Sequence, residues 1–290
     1  NQRLKVDAQQ NSHIAHKKLK ETLFGSNHPY GRYLTETAIA RITPMHLQQY
    51  YKDRFFVGGL LCVSGQVRTQ DLETIRHYLQ LLPIQTAKSE SPTFSAQAHA
   101  QVYQDKKESL QAAVYMGRVL FPKNHPDYLP LLVVNELLGG YFGSRLMRNL
   151  REEKGYTYGI FSRIVPLKHT CYLQIGAEVI QEFTQATCQE IVREIKILQN
   201  TPVPSEELKV LQNYMLGTFL SEVNTPFDSM EKFKIAYLYG LDRTHYDQLY
   251  TTIQRMDAEC IIELANTYFA TDDLSRVIVG ADYQQGNKLV

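Results

Sequence analysis

Arg151 and Tyr158 stand seven residues apart in the run Leu150-Arg151-Glu152-Glu153-Lys154-Gly155-Tyr156-Thr157-Tyr158, on either side of a glycine. A guanidinium and a phenol are hydrogen-bond donors suited to the oxygen of a peptide carbonyl, or to the oxyanion that forms from it. Just upstream, Gly139, Gly140 and Gly143 break the stretch Leu137-Leu138-Gly139-Gly140-Tyr141-Phe142-Gly143-Ser144-Arg145-Leu146. Glycine lets one backbone approach another closely, or swing as a hinge. No nucleophile, metal cluster or acid pair accompanies these groups, so the motif reads as half of an active site. Ser64, in Val63-Ser64-Gly65, lacks the glycine elbow of a serine hydrolase. The segment 139–143 follows a helical pattern and carries no Lys-Ser/Thr, which excludes a phosphate loop. Of nine histidines only His13 and His16 lie close together, as H-x-x-H with no E-H after it, and they read as a solvated helix face.

The elements that must carry these residues follow from pattern. Sparse apolar residues from 11 to 24 (Ile14, Ala15, Leu19, Leu23, Phe24) predict a helix largely exposed on one side, closed by the turn Gly25-Ser26-Asn27-His28-Pro29-Tyr30-Gly31. Thr43 before Pro44 is an N-cap with a first-turn proline, opening a helix to about residue 55. Residues 60–65 read as a buried strand and 71–82 as an amphipathic helix. Strands are predicted at 101–103, 112–120, 156–165, 170–177 and 274–280. Helices are predicted at 127–138, 144–153, 181–199, 205–220, 228–240 and 257–269. The sequence thus places Arg151 at a helix end and Tyr158 in the following strand.

Residues 42–55 and 256–269 share one pattern: a capped helix with an aromatic end, then a short loop, a buried strand and a glycine, at Gly65 and Gly280. Duplication is the natural explanation of both copies, a common helix-loop-strand unit shared by chance being the alternative. The fold class is therefore α+β, two repeated α/β units with mainly antiparallel sheets flanked by helices. The first unit, residues 1–88, is expected to lack its opening strands, residues 89–100 are a linker, and residues 101–290 form a complete second unit.

Bulk properties narrow the function. The chain has 290 residues, 43% hydrophobic and 21% charged, with a formal charge of +1 and no basic tract, which argues against a nucleic-acid partner. Its four cysteines are scattered without a C-x-x-C pair and read as isolated buried thiols. No apolar run is long enough for a membrane span. The start at Asn1-Gln2-Arg3 has no signal peptide and is expected of a mature fragment, so the compartment is not read from it.

Together, His28-Pro29-Tyr30-Gly31, the helix and strand at 43–65, the glycine segment at 138–146 and the Arg151–Gly155–Tyr158 run resemble the pitrilysin/insulinase family of zinc metallopeptidases, which includes the mitochondrial processing peptidases. The resemblance covers nearly the whole chain. It implies two halves closing around a peptide, one with an inverted zinc motif H-x-x-E-H, the other with an Arg and a Tyr that grip substrate near the metal. Arg151 and Tyr158 match that pair, which implies a substrate-binding role for them. Gly139, Gly140 and Gly143 match a glycine-rich segment that aids substrate recognition in the processing peptidases, though this version is shorter and interrupted by Tyr141 and Phe142.

The zinc motif has no match here, and Gln2 and Arg3 fall where the family's third zinc ligand, a Glu, would be. The resemblance therefore implies the non-zinc half, with no metal of its own and no catalytic residue, zinc being held by a partner half. Its expected partners are that half and a peptide. The alternative is a catalytically dead scaffold or peptide-binding protein of the same fold. For Arg151 the plainer reading is a cation complementing a helix C-terminus, worth about 0.3–1 kcal/mol. For Tyr158 it is half-buried strand packing.

Overall fold

The computed structural model describes residues 2–85, 99–106, 109–242 and 244–280. These form two compact units that interleave along the chain: one holds residues 34–85 and 217–242, the other residues 2–33, 99–106, 109–216 and 244–280. The sequence predicts consecutive domains of 1–88 and 101–290, and most of the expected linker, 89–100, lies outside the described residues.

The chain opens with helices α1 (Gln2–Asp7) and α2 (Asn11–Phe24). The unit that follows contains α3 (Glu36–Ala40), α4 (Pro44–Tyr50) and α5 (Thr69–Gln80). Thr43 caps α4 as expected: His46 N–H donates to Thr43 Oγ1, while Thr43 N–H donates to His46 Nδ1. The helix runs on into a π-helical turn, Tyr51–Phe55. The expected strand at 60–65 is a correction. Among the described residues this stretch enters no ladder, and Leu60, Leu61 and Val63 are exposed. Strand propensity is realised only when a neighbour takes up the backbone hydrogen bonds.

The second unit is built on strands β1 (Gln101–Gln104), β2 (Gln111–Val119), β3 (Thr157–Pro166), β4 (Cys171–Ile180) and β5 (Ser275–Val279). Their spatial order is β1-β5-β2-β4-β3, with β1 parallel to β5 and every other pair antiparallel. The mainly antiparallel α+β fold is thus as the sequence predicts. Helices α6 (Tyr128–Asn135), α7 (Thr184–Asn200), α8 (Ser205–Ser221), α9 (Pro226–Tyr239), α10 (His245–Arg255) and α11 (Ala258–Tyr268) complete the chain, α9 belonging to the first-described unit.

Alternation divides the sheet's side chains between two layers. Val114, Met116, Leu173 and Ile175 join Leu131, Ile191, Ile195 and Ile261 in the larger core, under α6, α7 and α11. Ala113, Tyr115, Tyr172, Val277 and Val279 meet Ala15, Leu19, Leu23 and Phe24 of α2 on the opposite face. Covered on both sides, β4 is buried almost throughout, so its inward and outward residues do not alternate in polarity. The expectation of a largely exposed α2 with a solvated His13/His16 face is corrected here: α2 lies on the sheet, and neither histidine is exposed.

Helix α10 is absent from the sequence reading. Only His245, Leu249 and Ile253, four residues apart, mark its apolar stripe amid polar residues. It packs on α6, and Gln212 of α8 donates its amide to Ile253 O at 2.9 Å.

Candidate functional site

Gly139 and Gly140 end a π-helical turn, Glu136–Gly140, and Gly143 lies between it and a second, Met147–Glu153. Such turns are rare and collect at functional sites, because they widen a helix and re-aim its side chains. The first is pinned to β3: Asn135 Nδ2 donates to Ser162 O at 3.1 Å, and Ser162 Oγ donates to Asn135 Oδ1 at 2.6 Å. Gly139 lies so near Ser162 that a Cβ on it would stand 2.7 Å from that residue's backbone nitrogen. Gly140 faces the half-buried Glu136 carboxyl, which burial pushes above the usual carboxylate range. Gly143 fits under the ring of Tyr141, which stacks on Tyr214 at 4.7 Å between centroids. All three glycines are in close quarters.

Arg151 is half-buried on the last turn of the second π-helical segment. Its guanidinium lies over the ring of Phe142, 4.6 Å from the centroid, a cation–π contact with the glycine segment. Gly155, at φ 66°, then reverses the chain, and Tyr156 N–H donates to Leu150 O at 2.9 Å. Lys154, in the turn between them, is tied to Glu190 at 2.8 Å.

Tyr158 follows at the start of β3, an edge strand. The register of β3 against β4 shifts between Thr157 and Ile160, and this bulge frees Tyr158 and Gly159 from the ladder. Thr157 Oγ1 fastens the bulge, accepting from Gly159 N–H and donating to Glu178 O. Tyr158 is 89% exposed, so the packing reading fails for it. Its ring stands at a cleft of about 210 Å³ with Ser12, Tyr115, Phe161, Gly176 and Glu178. Arg151 and Tyr158 therefore occupy different surroundings, and no hydrogen bond or ring contact joins them among the described residues.

The cleft residues other than Tyr158 are absent from the sequence reading. One signal was present: Gly176 interrupts a strand of large residues. A Cβ there would stand 2.6 Å from the ring of Phe161 and 3.1 Å from that of Tyr115.

The two α2 histidines do not form a metal centre. His16 Nε2 lies 3.3 Å from Tyr172 OH, and burial, with Lys20, His13 and Arg163 near, pushes the imidazole down to about 4. Tyr172 is pushed up to about 12, chiefly by burial. The setting is electropositive and unsuited to a cation. Among the described residues no group of three or more His, Cys, Asp or Glu could hold a metal ion, and no helix is long and apolar enough to cross a membrane.

Comparison with known proteins agrees with this fold. The chain is 25% identical over 269 residues to the "uncharacterized zinc protease YmxG" of Bacillus subtilis, and 26% identical over 280 residues to the "non-peptidase homolog YmxG" of Helicobacter pylori. Those alignments cover 89% and 92% of this chain but only 63% and 62% of the relatives. A peptidase M16 inactive domain from Pseudomonas fluorescens has the same fold, with a TM-score of 0.83 at 20% identity over 99% of this chain and 69% of that one. A chain of complex III2 from Candida albicans matches with a TM-score of 0.76 at 12% identity over 96% of this chain and 69% of its own. Residues 42–215, more than half of the chain, match the family described as the peptidase M16 inactive domain, and the chain belongs to that family.

Proposed function

We propose that this chain is the non-zinc half, or subunit, of an M16 metalloendopeptidase, and that Arg151 and Tyr158 hold the peptide for a partner half. One observation carries the reading: a phenol 89% exposed at a cleft, freed by a bulge on an edge strand, in a domain of this family. A phenol so exposed presents its hydroxyl to a substrate carbonyl. Arg151 keeps its cation on Phe142, from which its remaining N–H groups can reach a peptide oxygen. The zinc chemistry belongs to the partner half, where the metal would supply the activated water. This chain's own histidines do not fit a zinc site, because His16 is engaged with Tyr172 among cations.

A peptide-binding scaffold without hydrolysis is the second reading. The name of the Helicobacter pylori relative and the separate surroundings of Arg151 and Tyr158 favour it. The test is Arg151→Ala and Tyr158→Phe in the full-length protein assembled with its zinc-bearing partner. Losing one oxyanion donor lowers turnover roughly 100- to 1000-fold, read with an internally quenched peptide. Turnover near wild type in both variants overturns the proposed roles, and peptide binding without turnover in any assembly favours the scaffold.

A further inference from the structure

The cleft beside Tyr158 does not end there. It shares Ser12, Gln111 and Glu178 with a wider hollow of about 800 Å³ that reaches Lys106, so the two make one groove along the α2 face of the sheet. At their junction stands Glu178, exposed, its carboxylate in no hydrogen bond or ion pair among the described residues. It points to the same face as Tyr172 and Gly176, the alternate residues of β4. Aromatic rings make up much of the rest of the cleft: Tyr158 is bare, and Tyr115 and Phe161 meet edge to face at 6.0 Å. Gly176 leaves the floor open to those rings.

We infer that Glu178 and the exposed ring of Tyr158 form a subsite for a lysine or arginine side chain of the bound peptide; this deepens the proposed function and rests on it. A carboxylate without an ion-pair partner beside an exposed π-face selects a cation on two counts, charge pairing and attraction to the ring quadrupole. The aliphatic stem of Lys or Arg would lie along the rings while its charged head stays near water. Two of the chain's own cations lie near: Lys106 lines the wider hollow that Glu178 also borders, its ammonium donating to Gln9 O and Asn11 Oδ1, and Arg163 lies over the ring of Phe161, 3.8 Å from the centroid; neither makes an ion pair with Glu178 among the described residues. The plainer role for Glu178 is a counter-charge to the N-terminus of α2, near Ser12. That role predicts a change in stability and none in peptide selectivity.

The experiment uses the full-length protein and fluorescein-labelled peptides that differ at one position, carrying Lys, Arg, norleucine or Glu, with affinity read by anisotropy. The Lys and Arg peptides should bind roughly tenfold more tightly than the norleucine peptide at low salt, the margin shrinking as salt rises. Glu178→Gln, an exposed and isosteric change, should abolish that margin with little effect on the norleucine peptide. Glu178→Lys should turn the preference toward the Glu peptide, and Tyr158→Leu should narrow the margin. Binding of all peptides with equal strength, or a Lys preference that survives Glu178→Gln, overturns the subsite while leaving the peptide-binding reading in place. Failure of every peptide to bind overturns both.

Discussion

Gly139 and Gly140 are neighbours with unequal reasons to be glycine. A Cβ on Gly139 meets Ser162 N at 2.7 Å, Ser162 Cβ at 2.8 Å and Leu146 Cδ1 at 3.0 Å, and the first two belong to a strand that cannot yield. A Cβ on Gly140 meets only the carboxyl end of Glu136, a side chain that can swing away. Gly139→Ala should therefore cost about 1–3 kcal/mol, as overpacking does, and Gly140→Ala distinctly less. Denaturant titration of both variants checks this; equal losses would mean that Glu136 is as immovable as the strand. At this scale the sequence showed which residues were unusual but not where they point. Arg151 and Tyr158 were legible as a spaced pair. Their separate surroundings were not, because the bulge between Thr157 and Ile160 re-aims Tyr158 and no residue type announces it. His16 was read as solvated because its neighbour on β4, Tyr172, comes 156 residues later in the chain.

One ion-pair cluster fastens the start of the second π-helical segment to α8. Arg145, 8% exposed, donates from Nε and Nη2 to the two oxygens of Glu207, at 3.1 and 2.8 Å, and Arg148 adds a further bond to the same carboxylate. Those guanidinium groups hold the Glu207 carboxyl below its usual range against the opposing effect of burial. Glu207→Ala should cost about 3 kcal/mol or more, since it strands a buried guanidinium, whereas Arg145→Met with Glu207→Leu should be close to neutral. A double-mutant cycle by chemical denaturation measures the difference. A double variant as unstable as Glu207→Ala would show that the cluster contributes more than it costs to bury. Most elements were readable in advance, the strands from their apolar content and α4 from Thr43-Pro44. The failure at 60–65 has the opposite cause from that at α10. Residues 60–65 have strand composition but no partner strand among the described residues, while α10 has a partner in α6 but only three residues to show it.

At the scale of the whole chain, the repeat read from sequence has a geometric counterpart in each unit. Gly65, at φ 117°, closes residues 60–64 with its nearest neighbour Phe227, in the first turn of α9, and Ser64 Oγ donates to Pro226 O at 2.6 Å. Gly280, at φ 112°, closes β5 against Asn11 in the first turn of α2. The two glycines share the left-handed backbone and the approach to a helix start, but not the surroundings. Strand β5 is held between β1 and β2, and α2 buries Ala15, Leu19, Leu23 and Phe24 on that sheet. In the other unit α3, α4, α5 and α9 bury no residue, and Leu47, Tyr50, Phe55, Phe227 and Phe233 are exposed. Local stability follows buried apolar contact, so this chain should open unevenly. Hydrogen exchange followed by mass spectrometry should find amides of β2, β4 and β5 protected roughly a hundredfold or more beyond those of α4, α5 and α9. Equal protection in the two sets would mean that the capped helices, with the Thr225–Asp228 box of α9 among them, are held by more than their local hydrogen bonds.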